Sequence, residues 1–350
     1  MWSARGSGRT RLWCFGSKGY INMTYDASVR KDSGGLSRAT GDRPFWGRLA
    51  GWGPYRAFAA LVTASPRRQF VILATFPILW LLTQHLGPML QMLRVSLVDA
   101  YPVAQDAPQA FTFDNYLRFF GDRIFWMPFF RTLTFAAVFT FCTLIITYPV
   151  AYFLARHVSR RNQILMLLLL LIPFWVGEIV RTYAIMILLG NTGAVNLVLK
   201  WFGFIDRPIP FMYTSFSMGI GIVYLTALYM LLPLYSALEK LPKSYNEAAA
   251  DLGAGAWTRF RRVTLPLTLE GISSGCTLVF LISTGFYATP VLLGGPSTTV
   301  FAETIAGFFH VAGDEWPTGA AFAVIMFVAA LLITGVFQRL MKALRKGDTA

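Results

Sequence analysis

The stretch from Ser244 to Leu267, SYNEAAADLGAGAWTRFRRVTLPL, is the longest polar-containing interruption in the apolar second half of the chain. Ser244 and Glu247 have the S-x-x-E spacing of a capping box, in which the hydroxyl takes one orphan N–H of a helix start and the carboxylate takes another. Ala248, Ala249, Ala250 and Leu252 favour the helix that would follow. Gly253 and Gly255 permit a turn with positive φ. A second short helix is expected from Trp257 to Val263, and Pro266 marks the start of the next apolar segment, where its missing N–H is tolerated. On propensity alone the stretch is a capped helix, a glycine turn and a stop.

Working outward, the chain has 350 residues, 55% of them hydrophobic and only 14% charged. Soluble domains carry about 25% charged residues. Several stretches exceed the ~18 apolar residues that read as a bilayer-spanning helix. The fold class expected is all-α integral membrane, with six transmembrane helices at about Phe70–Leu93, Phe129–Ala155, Gln163–Leu189, Ser217–Leu238, Gly271–Leu293 and Ala320–Leu340. Residues 1–65, rich in Gly, Ser, Arg and Lys, read as a mostly disordered cytoplasmic tail. Residues 66–350 form the membrane domain, with a core over about 129–340 and the polar loop at 240–268. No apolar run follows the basic start within the first thirty residues, which argues against a cleaved signal peptide.

The net charge of +14 would point to nucleic acid in a soluble protein. Here the basic residues collect in alternate loops: Arg67 and Arg68; Arg156, Arg160 and Arg161; Lys240, Lys243, Arg259, Arg261 and Arg262; Lys342, Arg345 and Lys346. The intervening loops are balanced or acidic, as with Glu303, Asp314 and Glu315. By the positive-inside rule both termini and the Ser244–Leu267 stretch lie in the cytoplasm. FTFDNYLRFF (111–120) and GAVNLVLKWFGF (193–204) fall outside and suit amphipathic helices at the interface.

Glu178 and Arg181, in IPFWVGEIVRTYA (172–184), are charges at membrane depth. Three residues apart, they share a helix face. They either line a substrate route or form a structural ion pair or snorkel to the interface. Pro173 and Gly177 precede them, and Gly285 and Pro290 sit in the fifth segment; such residues break membrane helices next to cavities or protein contacts. Cys14, Cys142 and Cys276 are far apart, and His85, His157 and His310 are scattered, so neither a metal site nor a catalytic cluster is indicated. GAGAWTRF is glycine-rich but lacks the lysine of a phosphate-cradling loop, and no G-x-x-x-x-G-K-[ST] occurs.

The spacing of the opening stretch is Glu247-Ala248-Ala249, three residues, Gly253, nine residues, Val263, one residue, Leu265-Pro266. It resembles the EAA motif of the membrane subunits of ATP-binding-cassette (ABC) importers, departing only in Val263 for Ile. FTFDNYLRFF, IPFWVGEIVRTYAIMILLGNTGAVN and GFYATPVLLGGP (285–296) are similar to segments of spermidine/putrescine-type permeases, so the resemblance covers about Phe70 to Leu340. It implies the type I ABC importer permease arrangement in a bacterial inner membrane, without catalysis by this chain. It implies as partners a cytoplasmic ABC ATPase dimer that binds ATP and Mg, a second permease subunit, here expected to be a paralogue, and a periplasmic binding protein. Glu247, Ala248, Ala249 and Gly253, supported by Leu265 and Pro266, would form the coupling helix that docks on the ATPase. The substrate path would draw on Glu178, Arg181, Phe174, Tyr183 and Glu303, with acidic and aromatic groups suiting a cationic polyamine. Alternatives are an importer of another solute (an amino-acid derivative, opine, thiamine or iron) or a secondary transporter. The last lacks a mid-membrane acid to bind a coupling ion.

Overall fold

The computed structural model describes residues 11–16, 19–24, 53, 65–101, 110–310 and 315–347. Two units are described separately, residues 1–82 and 83–350. In the first, β1 (Arg11–Gly16) pairs antiparallel with β2 (Gly19–Thr24), and α1 covers Pro66–Leu81. The expected tail therefore contains a hairpin at 11–24, and most of its other residues lie outside those described.

After a π-turn at Leu82–Leu86, the second unit holds α2 (Gly87–Val95), α3 (Asp114–Gly121), α4 (Arg123–Arg156), α5 (Arg160–Leu171) and α6 (Glu178–Leu189). Then come α7 (Ala194–Trp201), α8 (Ser215–Lys240), α9 (Lys243–Asp251), α10 (Ala256–Arg259) and α11 (Leu265–Leu267). The last are α12 (Leu269–Gly285), α13 (Ala288–Leu293), α14 (Phe301–His310) and α15 (Trp316–Gly347).

All six apolar segments are helical, but not all as single helices. The third is split into α5, a 3-10 turn at Ile172–Trp175, and α6. Pro173 removes one backbone donor there, and Gly177 takes an extended ψ of 151° before α6 begins. The fifth is split into α12 and α13. Among the described residues four helices are long and apolar enough to cross a membrane, or five if the bent pair Ala256–Leu267 and Leu269–Gly285 counts as one.

The unbroken helix α8 is the centre of the bundle. It begins with a capping box at Thr214 and Ser217 and buries Met218, Leu225, Met230, Leu234 and Leu238 against α4 and α12. In hydrocarbon, apolar residues gain nothing by leaving lipid for protein, so close backbone approach has to hold the helices together. Gly271 and Gly275 supply it at the α8–α12 crossing. A Cβ on Gly271 would stand 2.5 Å from the Ala237 Cβ, and one on Gly275 would stand 2.7 Å from the Met230 sulfur.

The outer stretch FTFDNYLRFF does more than lie at the interface. One face of α3 buries Phe119 in a cluster with Phe129, Phe301, Phe322 and Met326. Buried Asn115 donates to the carbonyls of Ser96 and Val98 and accepts from Thr318, and Arg118 pairs with Glu315 at 2.6 Å. These bonds pin the outer segment to α15. On α7, Asn196 bridges the Gly190 and Ile209 carbonyls and accepts from the Ile209 N–H.

Replacing Gly271 by Val inserts three carbon atoms where none fits. Overpacking of this kind costs about 1–3 kcal/mol. The variant should show a lower melting temperature and a smaller monodisperse fraction in detergent than Gly285→Ala, whose Cβ would meet nothing within 4 Å.

Candidate functional site

The polar loop forms a helix that stands clear of the bundle. No residue of α9 is buried. A cleft of ≈ 440 Å³ separates one side of it from the end of α4 and is lined by Tyr152, Arg156, Glu247, Asp251, Arg259 and Phe260. A second, of ≈ 430 Å³, lies towards α8 and α12, lined by Pro233, Lys240, Tyr245, Leu267, Glu270 and Gly271.

The capping box expected at Ser244 is not formed. The helix starts at Lys243, its N-cap is Pro242 with φ −60° and ψ 136°, and no side chain caps it. Proline's ring already holds the φ that position needs, so the helix begins earlier and Ser244 falls inside it rather than at the N-cap. Glu247 is exposed and free of any capping role.

The end of α9 is fixed by its own backbone. Gly253 has φ +79°, its N–H donates to the Ala250 carbonyl at 2.8 Å, and the Ala254 N–H reaches back to Ala249 at 3.0 Å. This pair of bonds is a Schellman motif, and the left-handed residue it requires is the reason for glycine at 253. Gly255 does not share that conformation. Its φ is −63°, and it caps the start of α10. The second helix also differs from the expected Trp257–Val263. It runs from Ala256 through a π-turn at Phe260–Thr264 into Leu265–Leu267. It then meets α12 at an angle of 65°. Leu265 and Pro266 therefore lie just before the bend, on the loop side of buried Thr268.

The membrane-depth residues come together at the two helix breaks. Glu178 opens α6, where a carboxylate complements the positive end of the helix dipole. It does not pair with Arg181. Its Oε1 accepts from the Thr289 hydroxyl of α13 at 3.4 Å, and the Thr182 and Thr289 hydroxyls are 3.2 Å apart, so the outer halves of the two broken segments are joined side by side. The Arg181 guanidinium sits 4.6 Å from the centroid of Phe174, in the 3-10 turn, and Phe174 in turn meets Tyr229 of α8 edge-on at 6.0 Å. The break folds the ring of Phe174 back over Arg181, and the cation–π contact takes the place of the ion pair. Arg181 Nε and Nη1 are inaccessible and have no hydrogen-bond partner. Tyr183 is exposed on α6. Glu303 stands apart on α14, which packs on α4 and α15. Thr182, Thr289 and Tyr229 had no distinguishing sequence signal. Among the described residues no group of three His, Cys, Asp or Glu is placed to hold a metal ion.

Burial holds the Glu303 carboxyl above the ordinary carboxylate range, opposed by a hydrogen bond from the Val300 backbone. Folding thus favours the protonated form more than the unfolded chain does. The stability this gives is fully present below the ordinary value and is lost as pH rises through the raised one. The melting temperature should therefore fall as pH rises above the ordinary glutamate value. Glu303→Gln should flatten the slope.

No protein-family model matches the chain. It is 37% identical over 237 residues to the spermidine/putrescine transport system permease protein PotB of Escherichia coli (strain K12), covering 67% of this chain and 85% of that protein. It is 34% identical over 277 residues to the protein of the same name from Haemophilus influenzae, covering 76% of this chain and 92% of the other. Its fold matches a crystal structure of a bacterial ABC transporter involved in the import of the acidic polysaccharide alginate. That match has a TM-score of 0.62 and 18% identity, over 82% of this chain and 99% of the other.

Proposed function

The chain belongs to the spermidine/putrescine-type permease family of ABC importers, and from that premise we propose that it carries a polyamine across the membrane in a complex energised by a separate ATPase. It is a multi-pass inner-membrane permease subunit of a binding-protein-dependent importer. The finer reading is that six spans place both termini in the cytoplasm and that the second permease is a paralogue. An ATPase dimer, holding the ATP and Mg, would receive α9.

The observation that carries the docking assignment is the coupling helix itself. It has no buried residue, yet its turn is rigidly specified by Gly253, and Leu252 and Trp257 are 89% and 71% exposed. Large apolar side chains on a polar loop mark a surface that a partner covers. Glu247, Ala248, Ala249 and Gly253 present a small-residue face that a cleft in the ATPase can approach closely. In the cycle proposed, ATP closes the ATPase dimer, the docked loop moves with it, and the bundle opens outward to a loaded binding protein. The solute then passes between the two permeases. Support for a polyamine comes from the relatives' substrate and from Glu178 at the junction of the broken helices, where a carboxylate attracts a cation.

Glu247→Arg or Gly253→Val should abolish co-purification with the ATPase while the permease still folds; retention of the ATPase by both variants would reject the docking face. In proteoliposomes holding the whole importer, labelled spermidine should accumulate with ATP, and Glu178→Gln should lower that uptake by about tenfold or more, equivalent to about 1.4 kcal/mol. Transport of an anion or a sugar in place of spermidine would reject the polyamine assignment.

A further inference from the structure

The cleft between the coupling helix and α4 is not closed by charge. Arg156 and Arg259 line it together with Glu247 and Asp251. Yet among the described residues no ion pair joins these groups, and Arg156 Nε and Nη2 and Arg259 Nε have no hydrogen-bond partner. What bridges the loop to α4 is aromatic. The ring of Phe260 meets Tyr148 edge-on at 5.7 Å and Tyr152 edge-on at 6.4 Å, and it stacks on Trp257 at 5.5 Å. Tyr148 and Tyr152 are one helical turn apart on α4, so Phe260 addresses both through one face of that helix. The Tyr148 hydroxyl is also 3.0 Å from the Thr268 hydroxyl, at the bend where the loop joins α12.

This arrangement gives the loop three connections to the bundle. One is covalent, along the chain through Thr268 into α12, which itself packs on α4. The second is the Tyr148–Thr268 hydroxyl contact at the bend. The third is the contact of Phe260 with α4, on the loop side of the bend. Without the third, α4 would feel displacement of α9 only at the bend and through α12. We propose that Phe260 is the positioning residue that imposes movement of the coupling helix on α4, so that the two sides of the bundle move together. The proposal rests on the docking reading above and adds to it a further route for force. Phe260 lies in the π-turn, outside the docking face at Glu247–Gly253, and its role is to transmit rather than to bind the ATPase.

The test uses the assembled importer, with its ATPase, second permease and binding protein. Phe260→Ala should keep co-purification and basal ATP hydrolysis within about twofold of the native complex, while stimulation of hydrolysis by the binding protein, purified with its own bound solute, falls about tenfold or more. Phe260→Tyr, which keeps the ring, should restore stimulation. Full stimulation in Phe260→Ala would overturn the proposal. So would a parallel loss of co-purification, which would put Phe260 in the docking face. Loss of ATPase association in the Glu247 and Gly253 variants is measured separately, so failure of the docking reading is distinguishable. A second arm is independent of the stability of Phe260→Ala: cysteines at 152 and 260, in a background with Cys14, Cys142 and Cys276 replaced by serine, are joined by a short thiol-specific cross-linker. Before cross-linking, the cysteine variant lacks the ring and should be as poorly stimulated as Phe260→Ala; the bridge, by tying the loop to α4 again, should bring stimulation back to within about twofold of the native complex. No recovery on cross-linking would overturn the proposal.

Discussion

A backbone N–H or C=O left without a partner in hydrocarbon costs several kcal/mol, so a membrane helix can be interrupted only where protein or enclosed water satisfies the freed groups. This constraint organises the bundle. Its central member, α8, is continuous from Ser215 to Lys240 in spite of Pro233. The half-helices that follow the interruptions in the third and fifth segments pack on each other. There the Val176 N–H turns back to Pro173, the Val291 N–H to Tyr287, and the hydroxyls of Thr182 and Thr289 meet between the half-helices. The freed groups are thus met by local backbone bonds, and the half-helices beyond the breaks are tied to each other. The same pairing places Glu178 at a helix start where the dipole favours its charge and a hydroxyl donates to it.

The third interruption, at Thr268, is of another kind. Proline at 266 cannot donate to the carbonyl four residues back, and the preceding turn widens into a π-helix over Phe260–Thr264. The bend is nonetheless firmly bonded. The Thr268 N–H reaches the carbonyls of Thr264 and Leu265, its hydroxyl donates to the same region, and Tyr148 holds it from α4. A 65° corner with this many bonds behaves as an elbow with a fixed angle rather than as a free hinge. A helix mounted on such an elbow, with a cleft on either side, has room to be gripped but little freedom to move without taking the bundle with it.

The apolar segments were legible in the sequence because length and hydropathy survive whatever the neighbours do. The breaks were legible only as suspicion: Pro173, Gly177, Gly285 and Pro290 marked where helices weaken, but whether they part depends on the segment packed alongside. The pairing of Glu178 with Arg181 was a reasonable inference from spacing on a continuous helix. Both residues do lie on α6, but the break just before Glu178 brings Phe174 over the guanidinium, and the carboxylate turns to Thr289. The capping box failed for a local reason, since S-x-x-E spacing does not fix which residue is the cap and Pro242 supplied a competing start. Thr289 and Tyr229, from distant helices, could be found only by folding the chain. The membership of Phe260 in the aromatic contact was equally hidden, because nothing in the pattern WTRFRR says that α4 will be the neighbour.

Losing the cap changes what Glu247 can be for. With a capping box in place, the glutamate would have had a local reason to exist, and the motif would have been explicable as a stable helix-turn. The Schellman turn still gives Gly253 such a reason, because any other residue at φ +79° would be strained by about 1 kcal/mol or more. Helix propensity gives Ala248 and Ala249 a weak one. Glu247 has none within its own helix: it is exposed, uninvolved in capping, and unpaired with the arginines across the cleft. The motif thus divides into a part that this chain's backbone requires and a part that it does not. The docking proposed above would account for the second part, since alanines beside the glutamate would let a partner's surface approach closely. The same logic separates Phe260 from Glu247. Phe260 is occupied by contacts within the chain, whereas Glu247 lines the open cleft beside it without a partner there.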